Sequence, residues 1–182
     1  NAASPLIGIL HEAIGIEKAV LSTTHGYTAS QALVDGPSKK DLREGRAAAQ
    51  NIVPSSTGAA IAVTKAFPEL TDKFDGISLR VPVPAGSIVD ITFIAKRDTT
   101  AEEVNDILRK AATDPKWSNL FAVTEEPLVS SDILGESHAS IADLEMTRVI
   151  GGNLVKVLGW YDNEYSYTHT LVEHVAKTGK RS

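Results

Sequence analysis

His25 is the residue whose setting most invites chemistry. It ends a run of strand-forming residues, Ile16 to His25, with Thr23, Thr24 and Thr28 beside it. An imidazole at a strand end, where a sheet edge opens to solvent, can act as a base near neutral pH; it can equally be a surface or hydrogen-bonded histidine. Ser55-Ser56-Thr57-Gly58 precede a small-residue helix, Ala59 to Ala66. Hydroxyls and free N–H groups at the positive end of a helix make either an anion site or an ordinary N-cap. Arg80 interrupts an apolar strand between Leu79 and Val81 and needs an anionic partner or a solvated face. The loop cations Lys39, Lys40, Arg43 and Arg46 could steer phosphates or simply be solvated. Trp160 to Tyr165 is dense in aromatics, which more often build core and interface than a ligand cage. Together these residues suggest an anionic small-molecule site with a histidine base.

Composition narrows the classes. The 182 residues are 42% hydrophobic and 23% charged, ordinary for one globular domain. A net charge of −5, with no basic tract interleaved with aromatics, argues against a nucleic-acid partner. No apolar run approaches the roughly 18 residues of a membrane helix, so no membrane partner is expected. There is no cysteine, hence no disulfide, no thiolate metal site and no thiol nucleophile. GxGxxG, P-loop, HExxH and GxSxG motifs are absent, and the histidines at 11, 25, 138, 169 and 174 lack metal-ligand spacing, so no metal is expected.

The elements that must position these residues follow from periodicity. Ser4 as N-cap and Pro5 at the first helical position open a helix closed by Gly15. The strand Ile16 to His25 follows, then a long loop from Thr28 to Val53 built on Asp35-Gly36-Pro37-Ser38, read as functional. Small residues on every face of Ala59 to Ala66 predict a helix packed tightly on its neighbours. Ile77, Leu79, Val81 and Val83 alternate as one strand, which ends irregularly at Pro82 and Pro84, and Val89, Ile91, Phe93 and Ala95 form the next. Thr99-Thr100-Ala101-Glu102-Glu103 holds two capping-box registers before the stripe Val104, Ile107, Leu108 and Ala111. Lys116 to Glu145 reads as mostly irregular. Met146–Ile150 and Leu154–Tyr161 form a hairpin through Gly151-Gly152-Asn153. A last helix, Asp162 to Lys177, turns Thr168, Leu171, Val172 and Val175 inward and ends at Gly179. Paired strands between single helices predict one α+β domain, a mixed, largely antiparallel sheet covered by helices.

These stretches resemble the C-terminal catalytic domain of the phosphorylating glyceraldehyde-3-phosphate dehydrogenase family. The resemblance rests on Thr23-Thr24-His25-Gly26-Tyr27-Thr28, Asp35-Gly36-Pro37, Asn51 to Ala60, Arg80-Val81-Pro82-Val83-Pro84 and Trp160 to Tyr165, in the family's order along nearly the whole chain. It implies that His25 activates a thiol and later serves as acid during hydride transfer. It implies that Thr28 and Arg80 hold the substrate's phosphate, and that Thr57 with the Gly58 amide holds inorganic phosphate. Asn163 would hold the carboxamide of the nicotinamide of NAD, with NADP open, and Tyr167 would pack near that ring. The Asp35–Arg46 loop resembles one that lines the cofactor site of a neighbouring subunit in a homotetramer. Where some members carry a phosphate-contacting arginine this chain has Glu44, and no anion role is carried onto it.

Asn1 resembles the last residue of the family's Ser-Cys-Thr-Thr-Asn run. The resemblance therefore places the nucleophilic cysteine and the dinucleotide-binding (Rossmann) domain upstream, and residues 1–182 as the catalytic domain alone, inactive by itself. The expected activity of the intact protein is cytoplasmic, glycolytic oxidation of glyceraldehyde 3-phosphate. Erythrose-4-phosphate oxidation on the same scaffold, or a non-catalytic binding or assembly module, are the alternatives.

Overall fold

The computed structural model describes residues 1–39 and 41–179; Lys40 of the cationic loop lies outside the described residues. The elements are α1 (Ala3–Ile14), β1 (Ile16–Gly26), β2 (Val53–Ser56), α2 (Ala59–Ala66), β3 (Phe74–Val81), β4 (Ser87–Ala95), α3 (Ala101–Thr113), β5 (Phe121–Thr124), β6 (Ser140–Ile150), β7 (Leu154–Tyr161) and α4 (Tyr165–Gly179). They build a seven-stranded sheet in the order β2-β3-β1-β4-β7-β6-β5. Pairs β1–β3 and β5–β6 are parallel and the rest antiparallel, the mixed, largely antiparallel α+β architecture expected from the sequence.

The core lies between one face of this sheet and the helices. Leu6, Ile7 and Leu10 of α1 and Val104 and Leu108 of α3 pack with Leu21, Ile91, Phe93, Val155 and Val157 of the sheet. Alternation sends Leu21 and Thr23 inward and leaves Val20 exposed on the opposite face, together with Ile77 of β3. Thr100 caps α3 by accepting from the Glu103 N–H, while the Thr99 hydroxyl donates to the Glu103 carboxylate, so both threonines of the capping box are used. The β6–β7 turn places Gly151 at φ +60° and Gly152 at φ +84°, a left-handed pair suited to glycine.

Several local expectations are corrected. α1 starts at Ala3 with Ala2 at the cap position and no side-chain cap bond, so Ser4 is not the N-cap; Pro5 sits inside the first turn, where N–H groups have no helical partner. Pro54-Ser55-Ser56 is the edge strand β2, paired with β3, rather than the lead-in to a helix. A 3-10 turn, Leu42–Gly45, capped by Asp41, forms inside the long loop. α2 buries only Ala60 and Val63, so its small residues do not pack on every side. The alternating set of β3 faces outward at Ile77, and the strand's buried residues are Phe74 and Ser78. Lys116 to Glu145 holds β5 and the first half of β6. That half is buried at five successive residues from Ser140 to Leu144, so it shows no alternation, and a register shift between Asp143 and Arg148 separates it from the half that was legible.

The inward face expected of the last helix is also overturned. Leu171, Val172 and Val175 are 47%, 63% and 62% exposed, and Ser166 is the buried residue of α4. The helix begins at Tyr165 because Asp162 caps it: one carboxylate oxygen accepts from the Glu164 and Tyr165 N–H groups, the other from Gly135. Nothing among the described residues covers the apolar stripe beyond that turn.

Candidate active site

The strand ends bring the site together. β1 and β3 run parallel with His25 opposite Arg80, so the imidazole and the guanidinium emerge side by side. His25 Nδ1 lies 2.6 Å from the carbonyl oxygen of Gly26. A carbonyl can only accept, so Nδ1 carries the proton and Nε2 is left with its lone pair. The Tyr161 ring packs T-shaped with the imidazole, with centroids 6.0 Å apart and planes at 67°. Burial lowers the His25 pKa from its ordinary value and the Arg80 charge lowers it further, against a raising effect of the Gly26 bond. The imidazole is therefore neutral at neutral pH, with Nε2 as an acceptor.

Beside it lies a small cleft, about 140 Å³, whose walls include Asn1, Thr23, His25, Ala59, Asn163 and Tyr167. Asn163 follows β7, and its Oδ1 accepts from the Gly86 N–H and the Ser87 hydroxyl, both at 3.1 Å. Its oxygen is thus occupied and its NH2 remains as a donor. Tyr167, in the first turn of α4, is more than half exposed and lines the same cleft. Tyr161 is half-buried, and desolvation pushes its phenol pKa up to about 12, against the lowering effects of Ser87, Arg80 and Thr23, so it stays protonated.

The anion-binding candidates are placed unequally. Arg80 buries Nε and Nη1 with no hydrogen-bond partner, an arrangement that an anion would complete. Thr57 and Gly58 immediately precede Ala59 on the cleft wall; the Thr57 Oγ1 accepts from the Ala59 N–H at 3.1 Å and can still donate, and nothing lies within 4 Å of where a Gly58 side chain would start. Thr28 lies beyond the end of β1, its Oγ1 3.1 Å from that of Ser30, and is not part of the cleft wall. Among the described residues no group of three or more His, Asp or Glu side chains is arranged to hold a metal.

The sequence missed Tyr161, Ser87 and Gly86 as parts of this site. Tyr161 carried a signal, as the aromatic that closes a strand two residues before Asn163. Ser87 and Gly86 carried none, because their role depends on β4 lying between β1 and β7.

A histidine at a strand end with Nε2 free to accept, an arginine beside it with two unpartnered buried nitrogens, and a carboxamide donor on the cleft wall together form the candidate site of this α+β domain. The family model for the glyceraldehyde 3-phosphate dehydrogenase C-terminal domain matches residues 1–163, and the chain belongs to that family. Its relatives carry the same name. The glyceraldehyde-3-phosphate dehydrogenase of Borreliella burgdorferi is 48% identical over 181 residues, 99% of this chain and 54% of the relative. Glyceraldehyde-3-phosphate dehydrogenase 3 of Saccharomyces cerevisiae is 46% identical over 180 residues, 97% of this chain and 54% of the relative. The testis-specific enzyme of Rattus norvegicus is 45% identical over 173 residues, 95% of this chain and 40% of the relative. The chain thus spans about half the length of the curated relatives it matches. The family is one of oxidoreductases, and the erythrose and non-catalytic alternatives are not favoured.

Proposed function

We propose that this chain is the catalytic half of a glycolytic, cytoplasmic, phosphorylating glyceraldehyde-3-phosphate dehydrogenase. The reaction converts glyceraldehyde 3-phosphate, inorganic phosphate and NAD to 1,3-bisphosphoglycerate and NADH, and the choice between NAD and NADP falls to residues outside the chain. The observation that carries the reading is the single cleft shared by Asn1, His25, Asn163 and Tyr167. If Asn1 matches the last residue of the family's Ser-Cys-Thr-Thr-Asn pattern, the family's cysteine would stand three residues before it, on the side of this cleft.

The residues present fit the roles. His25 Nε2 takes the thiol proton, the thiolate adds to the aldehyde carbon, and the imidazolium returns the proton to the new alkoxide oxygen, leaving a hydroxyl and a neutral His25. The nicotinamide supplies the hydride acceptor when bound. As hydride leaves that carbon, its hydroxyl must lose a proton to become the thioester carbonyl. His25 is therefore a base in this step too, and the acid role first expected for it does not fit the proton balance. The proton is returned when the thiol leaves. Asn163 presents its NH2 to a carboxamide oxygen, and Tyr167 offers a face to the ring; a cleft this small suits the nicotinamide end alone, the rest of the cofactor falling to a dinucleotide-binding domain outside residues 1–182. Arg80, with two unpaired buried nitrogens, and Thr28 hold the substrate's phosphate. Thr57 and the Gly58 N–H, at the start of α2, hold the inorganic phosphate that attacks the thioester.

A homotetramer suits the uncovered sheet face, with Val20 and Ile77 exposed on it, and the loop from Thr28 to Ile52, with Leu33, Val34 and Leu42 exposed. Residues 1–182 alone are inactive on this reading, because they offer His25 no thiol. The test is to assay the full-length protein with NAD and glyceraldehyde 3-phosphate. Turnover that requires inorganic phosphate supports the reading; no turnover with or without phosphate overturns it.

A further inference from the structure

One buried hydroxyl ties the histidine to the carboxamide. Ser87 opens β4 and is 2% exposed. The Gly26 N–H donates to its Oγ at 3.3 Å, and its own O–H donates to Asn163 Oδ1 at 3.1 Å. The directions are fixed by chemistry: a peptide N–H can only donate and a carboxamide oxygen can only accept. Gly26 is also the residue whose carbonyl sets the His25 tautomer, at 2.6 Å from Nδ1. Ser87 lies opposite Tyr161 in the β4–β7 register, and its hydroxyl lowers the pKa of the phenol whose ring packs T-shaped with His25. The remaining hold on Asn163 comes from the neighbouring Gly86 N–H. Gly86 has φ +87°, and a side chain there would run into the Ser130 carbonyl, so only glycine suits this support.

We propose that Ser87 is a positioning residue that sets two groups at once, the tautomer of the His25 base through Gly26 and the outward NH2 of Asn163 directly. The inference rests on the functional reading above for what those two groups do. Without the hydroxyl, the Gly26 N–H loses its partner and Asn163 Oδ1 keeps only Gly86. The strand end is then free to shift and the carboxamide free to rotate, presenting its oxygen where a donor is needed. The charged and titratable groups facing the imidazole are Arg80 on β3 and Tyr161 on β7. Loss of the Ser87 hydroxyl removes only a lowering effect on the Tyr161 phenol, which therefore stays protonated.

The experiment uses the full-length protein with Ser87→Ala, Ser87→Cys and Ser87→Thr. For Ser87→Ala, KM for the nicotinamide cofactor rises about 5- to 30-fold, as expected for one lost buried hydrogen bond with its partner left unsatisfied. In the same variant, 15N spectra of labelled histidine show His25 losing its single Nδ1–H tautomer. Ser87→Thr, which restores a hydroxyl, recovers both readouts. Ser87→Cys, nearly isosteric and a weak donor, falls between and serves if the alanine variant does not fold. A purely structural role for Ser87 would lower Tm while leaving the tautomer and the cofactor KM at wild-type values, and that result overturns the proposal. Because the tautomer is read without turnover, it tests Ser87 even if the wild-type protein shows no phosphate-dependent activity, a result that would instead sink the functional reading.

Discussion

Replacing Arg80 with leucine separates a binding role from a structural one. In the ligand-free protein Nε and Nη1 are buried with no partner, so the guanidinium makes no bond at those atoms whose loss could destabilise the fold. Removing two desolvated donors should leave stability unchanged or raise it slightly. With phosphorylated substrate the same two donors meet a dianion. Charge-assisted hydrogen bonds contribute about 1.5–3 kcal/mol, and about 1.4 kcal/mol is a factor of ten. For Arg80→Leu, kcat/KM for glyceraldehyde 3-phosphate should therefore fall by about one to two decades. Unphosphorylated glyceraldehyde should lose far less, since it has no phosphate for Arg80 to hold. The Arg80 charge is also one of the causes that lower the His25 pKa, so the acylation pH profile of the variant should shift upward. The assay is steady-state turnover of both aldehydes in the full-length protein, alongside thermal unfolding. Equal losses on both aldehydes, or a clear fall in Tm, would refute the phosphate-binding role and make Arg80 structural.

Two further substitutions probe what holds the cleft. Asp162→Asn should cost about 1.5–3 kcal/mol, because a charged acceptor of three backbone N–H bonds becomes a neutral one. The Asp162 carboxyl is subject to a raising effect of burial, yet the bonds from Gly135, Tyr165 and Glu164 bring its pKa below the usual carboxylate range. Its contribution is therefore complete above the unfolded carboxylate pKa and is lost as pH falls through the lower folded value; denaturant titrations across acid pH should show a shallower acid loss in the variant. Gly86→Ala should destabilise the fold by about 1–3 kcal/mol, since φ +87° disfavours a side chain and the new methyl would strike the Ser130 carbonyl. Cofactor KM should rise with it, as Asn163 loses a well-placed donor.

How much could be read from the residues alone varies with the kind of order each segment carries. α3 was legible in full, because Thr99, Thr100, Glu103 and the stripe Val104, Leu108 and Ala111 are local signals that agree. The β6–β7 hairpin was equally plain from Gly151-Gly152. The first half of β6 was hidden because burial on both faces removes the alternation that marks a strand. The stripe on α4 was read correctly as apolar and wrongly as covered, since periodicity reports which residues need a partner and not where the partner lies. His25, Asn163 and Tyr167 do meet in one cleft, and Thr57 and Gly58 abut it through Ala59. The parallel pairing that sets Arg80 beside His25, and the place of Ser87 between them and Asn163, arise from strand order, which no local pattern encodes.

The central claim is that His25 is the base, and the most direct measurement is the pre-steady-state acylation rate of the full-length His25→Asn variant across pH 5 to 9. General base catalysis is typically worth about 10²–10⁴-fold, so acylation should slow by that order with the fold unchanged. In the wild-type protein the rate should rise with pH through a midpoint below the ordinary imidazole value of about 6.5, as burial and Arg80 lower the His25 pKa. That limb should vanish in the variant. A variant that acylates at the wild-type rate with the same pH limb would contradict the assignment of His25 as the base.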